Sequence, residues 1–215
     1  MLLDSNPLLL TGLVTLAAYL IGSLSFAVIV SRAMGLSDPR SYGSQNPGAT
    51  NVLRSGSKLA AVLTLLLDAF KGWLPVALVV SYGRPFGLAG DAVALVGMAA
   101  FLGHLYPVFF RFKGGKGVAT EAGVLFGISG WLGLGVLLTW LTFAVVFRYS
   151  SLSALMAALA APLFYLFGER WLPGRDHSIF MTVTLMSLLL IWRHRENITR
   201  LVKGQESKLG SKKKA

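Results

Sequence analysis

Cysteine is absent from all 215 residues, and charged residues make up 13% of the chain, against about 25% in a typical soluble domain. The missing thiols exclude disulfides, thiol nucleophiles and thiolate metal sites, and leave the redox compartment unread. Acid is scarcer still, with 9 Asp and Glu against 20 Lys and Arg, and there are three His. No dense cluster of carboxylates or imidazoles occurs, so neither a metal nor a cofactor is expected. The net charge of +11 is of a size that nucleic-acid binding would use. Here, however, the basic residues lie between apolar runs, where they fix topology and meet anionic lipid. No nucleic-acid partner is expected.

What is abundant is apolar residues, 54% of the chain. The longest runs are Leu8–Val30, Ala92–Phe110, Ala122–Phe147 and Leu152–Phe167. A membrane span needs about 20 such residues. The first run is too long for a signal peptide and follows Asp4 rather than a basic start, so it is expected to be a retained helix. Residues 118–147 would form a helix of about 45 Å, too long for one crossing, and Ser129-Gly130 offers a break. The expected fold is therefore an all-α polytopic bundle of seven transmembrane helices. They cover 8–31, 58–81, 88–110, two halves of 118–147, 152–168 and 177–192. With the N-terminus periplasmic and the C-terminus cytoplasmic, the cytoplasmic segments hold every Lys and Arg except Lys71, Arg84, Arg170 and Arg175. Six spans would put the basic tail outside. Five, by merging two pairs, would keep it inside.

Three polar motifs fall on the cytoplasmic side. In the first, Gly43 to Arg54, Asn46 is expected to cap a short helix opening at Pro47 and closed by Gly56. Thr50, Asn51 and Arg54 then share a face suited to phosphate. A solvated loop helix would look the same. The second, Gly103 to Thr120, carries His104 and a glycine loop with Lys113 and Lys116, whose N–H groups can converge on an anion. It is neither a Walker A motif nor a dinucleotide fingerprint. The third is Trp192 to Ile198, in which His194 and Asn197 share a helix face and Arg193 can pair with Glu196. Arg148 to Ser151 adds hydroxyls and another cation. Asp68 and Lys71 share a face inside the second span, in a structural or a functional pair.

Together, Ser44-Gln-Asn-Pro-Gly-Ala-Thr-Asn51 with Arg54, His104-Leu-Tyr-Pro107 with Phe112 to Thr120, and His194-Arg-Glu-Asn197 resemble the bacterial acyl-phosphate:glycerol-3-phosphate acyltransferases, the PlsY family. The resemblance covers nearly the whole chain. It implies a bacterial inner-membrane enzyme, active at the cytoplasmic face, that moves an acyl group from acyl phosphate to the 1-hydroxyl of glycerol 3-phosphate. Lysophosphatidic acid and phosphate result, and acyl-CoA is not the donor. By the same resemblance Ser44, Arg54, Lys116, His194 and Asn197 serve catalysis. Asn46, Thr50, Asn51, His104, Gly114, Gly115, Gly117 and Ser151 are expected to bind substrate, and Glu196 to serve structure. Glu121 departs from the small residue expected after the loop.

Residues 1–204 form one membrane domain, followed by a basic tail, 205–215, expected to be disordered. The enzyme is expected to act as a monomer on its two substrates among membrane lipids. The soluble acyltransferase dyad, His then Asp after four residues, is absent. A substrate phosphate is the expected proton acceptor, with His194 orienting the acceptor substrate. The alternative is an organic-phosphate transporter. Against it stands the placement of the motifs at the rim rather than the midplane.

Overall fold

The computed structural model describes residues 6–168 and 176–210, and every regular element among them is helical. The first expected span is a bent pair. Helix α1 (Pro7–Gly22) starts on Asn6, whose side chain accepts the Leu9 N–H at 3.1 Å, with proline at the first helical position. It breaks at Ser23–Ser25 and resumes as α2 (Phe26–Ala33), bent by 44°. Such a break frees backbone groups that lipid cannot satisfy. The Leu24 carbonyl accepts from Lys71 Nζ at 2.6 Å instead.

A short helix α3 (Ala49–Val52) tightens into one further turn to Ser55, and Gly56 closes it with φ of 91°. Its start corrects the expectation for Asn46: the N-cap is Gly48, in extended geometry and without a side-chain bond. Then come α4 (Lys58–Tyr82), α5 (Gly90–Leu105), α6 (Val118–Ile128), α7 (Gly130–Phe147), α8 (Ser150–Phe167), α9 (His177–Arg193) and α10 (Arg195–Val202). The break at Ser129-Gly130 is where the sequence placed it. Among the described residues four helices are long and apolar enough to cross a membrane, and the bent pair makes five. The other two expected spans appear as the shorter apolar helices α6 and α9. The expected loop charges Glu169, Arg170 and Arg175 lie outside the described residues.

The outer surface is greasy: Leu66, Leu138 and Leu188 are all more than half exposed, at 59%, 53% and 56%. Inside, alanine, valine and glycine dominate. Lipid removes the hydrophobic drive between helices, so association depends on close packing of small residues. Between α4 and α6 the backbones nearly touch, since a Cβ on Gly123 would overlap the Ala69 carbonyl. This contact also sets depth. Thr120, just after the glycine loop, lies against Gly72, about 21 Å along α4 from Lys58. The loop is thus recessed well below the end of α4. That explains why α6, with 11 residues, is only about 16 Å long.

The two ends of the bundle differ. At one, Thr50 meets Ser150, Arg54 meets Ser207 and Lys116 meets Asn197. At the other, Ser178 donates to Asp91 and the Tyr165 hydroxyl donates to the Asp176 carbonyl at 3.2 Å.

Candidate active site

The first motif forms a loop folded around Asn51. That side chain is 2% exposed; its oxygen accepts the Ser44 N–H at 3.0 Å, and its amide donates to the carbonyls of Pro39 (2.7 Å) and Tyr42 (3.2 Å). In this structure Asn51 therefore holds the loop and has no face left for a ligand. Ser44 is thereby fixed at the surface, and its hydroxyl makes no hydrogen bond among the described residues. Arg54 lies alongside the Gly43 backbone and donates to the Ser207 hydroxyl at 2.9 Å. Thr50 Oγ1 is 3.1 Å from Ser150 Oγ, so the expected contribution of α8 comes through Ser150 as well as Ser151. Asn46 sits at the Gly48 turn.

The second motif turns sharply after α5. Arg111 and Phe112 both take left-handed φ angles, 55° and 58°, and the Phe112 N–H returns to the Pro107 carbonyl at 2.9 Å. Non-glycine residues there cost about 1–3 kcal/mol each, and such strain persists where the surrounding fold imposes it. The glycine loop then packs on His104, whose carbonyl accepts the Gly115 N–H at 3.2 Å. Gly115 must lack a side chain because a Cβ would collide with His104 Nε2. Arg193 closes the other side, donating to the Gly114 and Gly115 carbonyls at 3.1 and 3.0 Å. That corrects the expected Arg193–Glu196 pair: Glu196 is exposed and makes no hydrogen bond or ion pair among the described residues. The N–H groups of Lys116 and Gly117 donate to nothing among the described residues, and Gly117 caps the start of α6. Two free donors at a helix N-terminus suit an anion.

The third motif is the joint between α9 and α10. His194 ends one helix and starts the next, is 3% exposed, and its Nδ1 lies 2.8 Å from the Leu190 carbonyl. A carbonyl only accepts, so Nδ1 carries the proton and Nε2 the lone pair. Burial, reinforced by the Lys116 charge, lowers the imidazole pKa to about 4, which keeps the ring neutral. Lys116 donates to Asn197 Oδ1. Its own pKa is lowered to about 8, first by burial and then by Arg200.

Tail residues absent from the expected site complete this network. Glu206 accepts from Asn197 Nδ2 (2.6 Å), Ser151 Oγ (2.8 Å) and Arg200 Nε (2.7 Å). Those bonds, Arg200 foremost, outweigh burial and hold its carboxyl below the ordinary range. The Leu209 N–H also reaches the Arg148 carbonyl at 2.6 Å. The tail expected to be disordered is thus seated over 205–210, and the carboxylate that organises the third motif is Glu206 rather than Glu196. A lone acid in a basic tail was the available signal. Lys116, Asn197 and Ser151 are thus joined through Glu206, with His194 at the start of the helix that carries Asn197 and Arg54 bonded to Ser207, the residue after Glu206; among the described residues no group of three potential metal ligands comes together.

The pattern of the glycerol-3-phosphate acyltransferase family matches residues 12–204. Glycerol-3-phosphate acyltransferases of Paraburkholderia phytofirmans and Burkholderia pseudomallei are each 63% identical over 205 residues, covering 94% of this chain and 92% and 97% of theirs. The crystal structure of PlsY, an integral membrane glycerol 3-phosphate acyltransferase, superposes in its glycerol 3-phosphate form with a TM-score of 0.85 at 39% identity. It covers 93% of this chain and 96% of its own. The lysophosphatidic acid form of the same enzyme gives 0.83 at 38% identity, covering 93% and 95%.

Proposed function

The chain belongs to the glycerol-3-phosphate acyltransferase family, and on that premise we propose that it transfers an acyl group from acyl phosphate to the 1-hydroxyl of glycerol 3-phosphate. The products are lysophosphatidic acid and phosphate. One observation carries the assignment of the site: Lys116 is bonded to Asn197 beside the buried His194, and the N–H groups of Lys116 and Gly117 have no partner among the described residues, all at one end of a membrane bundle. We place that end at the cytoplasmic face of a bacterial inner membrane, with seven helix crossings counting α6 and α9. The gathering of the basic loops at the same end favours this orientation.

The chemistry requires two anions and a hydroxyl to be held together. Arg54, Lys116 and the loop N–H groups offset the phosphate charges and polarise the acyl carbonyl. Ser44, held by Asn51, follows Gly43, against which Arg54 lies, and orients the same phosphate. His194 Nε2 accepts from the glycerol backbone, and Asn197 and Ser151 bind its polar groups. The glycerol 1-oxygen attacks the acyl carbon, the acyl–phosphate C–O bond breaks, and the hydroxyl proton leaves on a phosphate oxygen. Holding both reactants in attack geometry contributes up to about 7–11 kcal/mol.

For the acyl donor, a cavity of 1010 Å³ opens beside the loop at Gly114. Val28, Leu36 and Phe109 line it with Arg32, Arg111, Lys113 and the Asp38–Arg40 pair, a mixed apolar and mainly cationic lining that suits an acyl chain bearing a phosphate. The test is purified protein with acyl phosphate and glycerol 3-phosphate. Lysophosphatidate is expected, and none with acyl-CoA in place of acyl phosphate. Uptake of glycerol 3-phosphate into liposomes without any product would instead establish a transporter.

A further inference from the structure

Three buried ionisable groups lie behind the glycine loop, outside the reacting centre. Asp68 and Lys71 on α4 are 2% and 1% exposed, and Lys71 Nζ is 2.7 Å from Asp68 Oδ1. An ion pair inside a membrane bundle is costly to desolvate, and an apolar contact would join two helices at less cost. Its position is also specific. The Lys71 ammonium is held in place by the Leu24 carbonyl at 2.6 Å and the Phe26 ring at 5.6 Å. Lys71 in turn holds the Asp68 carboxylate toward α5.

There the carboxylate meets His104. Asp68 Oδ1 is 3.7 Å from His104 Nδ1, and that nitrogen has no hydrogen-bond partner among the described residues. A shift of under about 1 Å would close the contact, a tightening common when a site fills. A carboxylate on this side favours a proton on Nδ1 and fixes the ring plane. The opposite edge of the ring, Nε2, is what the Gly115 backbone packs against, while the His104 carbonyl holds the Gly115 N–H. Ring orientation therefore sets where Gly115 and the adjoining Lys116 sit.

We propose that Asp68 is a positioning residue for glycerol 3-phosphate. Fixed by Lys71, it sets the His104 ring, and the ring seats the glycine loop. The inference rests on the reading that the loop binds phosphate.

A double-mutant cycle on the full-length enzyme in detergent or nanodiscs tests it, using Asp68→Asn, His104→Gln and the pair. Each single change is expected to raise KM for glycerol 3-phosphate about tenfold, with kcat altered less than about threefold. The double variant should be no worse than His104→Gln alone, because Asp68 acts through that ring. KM for acyl phosphate and thermal stability are the structural controls. Additive effects would overturn the inference, as would a normal KM in a folded Asp68→Asn enzyme. Should Asp68→Asn not fold, Asp68→Glu keeps the ion pair but moves the carboxylate by one methylene. A KM raised at least about threefold is then expected, and an unchanged one overturns the inference. If His104→Gln leaves KM unchanged while lysophosphatidate still forms, the reading of the loop fails separately.

Discussion

Lys116 donates a hydrogen bond to the Asn197 side chain, across 81 residues of sequence. One end of that bond belongs to the glycine loop and the other to the joint after α9, so the bond fixes the width of the site. Asn197 is in turn held by Glu206, which ties the tail to the same spacing.

Lys116 should give the enzyme an alkaline limb. Burial lowers its pKa to about 8, so the ammonium is charged below that value and lost above it. The ratio kcat/KM for glycerol 3-phosphate is expected to fall as pH rises through about 8. The limb should weaken in kcat, because a bound phosphate raises the pKa again. Lys116→Arg should be slower but flat to at least about pH 9.

His194 is expected to orient rather than titrate. With its pKa lowered to about 4, it stays neutral through the working range. His194→Gln should lower kcat/KM about 10–100-fold and leave any acid limb near pH 6, the region of a phosphate second ionisation, where it was. Loss of that limb in the variant would reassign the general base to His194. So would loss of the chemical step with substrate binding intact.

Glu206 itself lies outside the helices but holds α8 and α10 together. Glu206→Gln retains shape but gives up a charge-assisted bond to Arg200 and the common acceptor of Asn197 and Ser151. A loss of about 1.5–3 kcal/mol is expected, read as roughly tenfold or more in kcat/KM together with easier proteolysis of the tail. The folded carboxyl pKa lies below its ordinary value. Docking of the tail is therefore fully present above the ordinary carboxylate pKa and is lost as pH falls through the lower folded value. Ser207→Ala, which removes one neutral acceptor from exposed Arg54, should change activity less than about threefold.

Glycine substitutions separate the site from the scaffold. Gly115→Ala places a methyl group on His104 Nε2 and should raise KM for glycerol 3-phosphate at least about tenfold, with the fold intact. Gly123→Ala forces α6 away from the Ala69 carbonyl and should destabilise by about 1–3 kcal/mol, measured by thermal unfolding in detergent.

Much of this protein is decided by the chain alone. A run such as Ala122–Phe147 has no stable place outside lipid, and clustered Lys and Arg settle which loops share a side, because hydrophobic length and charge act locally. Ser129-Gly130 was legible as a break for the same reason. Tertiary structure decided the rest. Thr120 fits against Gly72 only because α6 starts deep in the bundle, which recesses the loop in a way no hydropathy pattern reports. Asn51 looked like a ligand-binding donor until the fold surrounded it with Ser44, Pro39 and Tyr42. Glu206 looked like part of a solvated tail until Arg200, Ser151 and Asn197 gave it partners. Polar side chains carry no intrinsic address: what they bind is set by whichever groups the packing brings within about 3 Å.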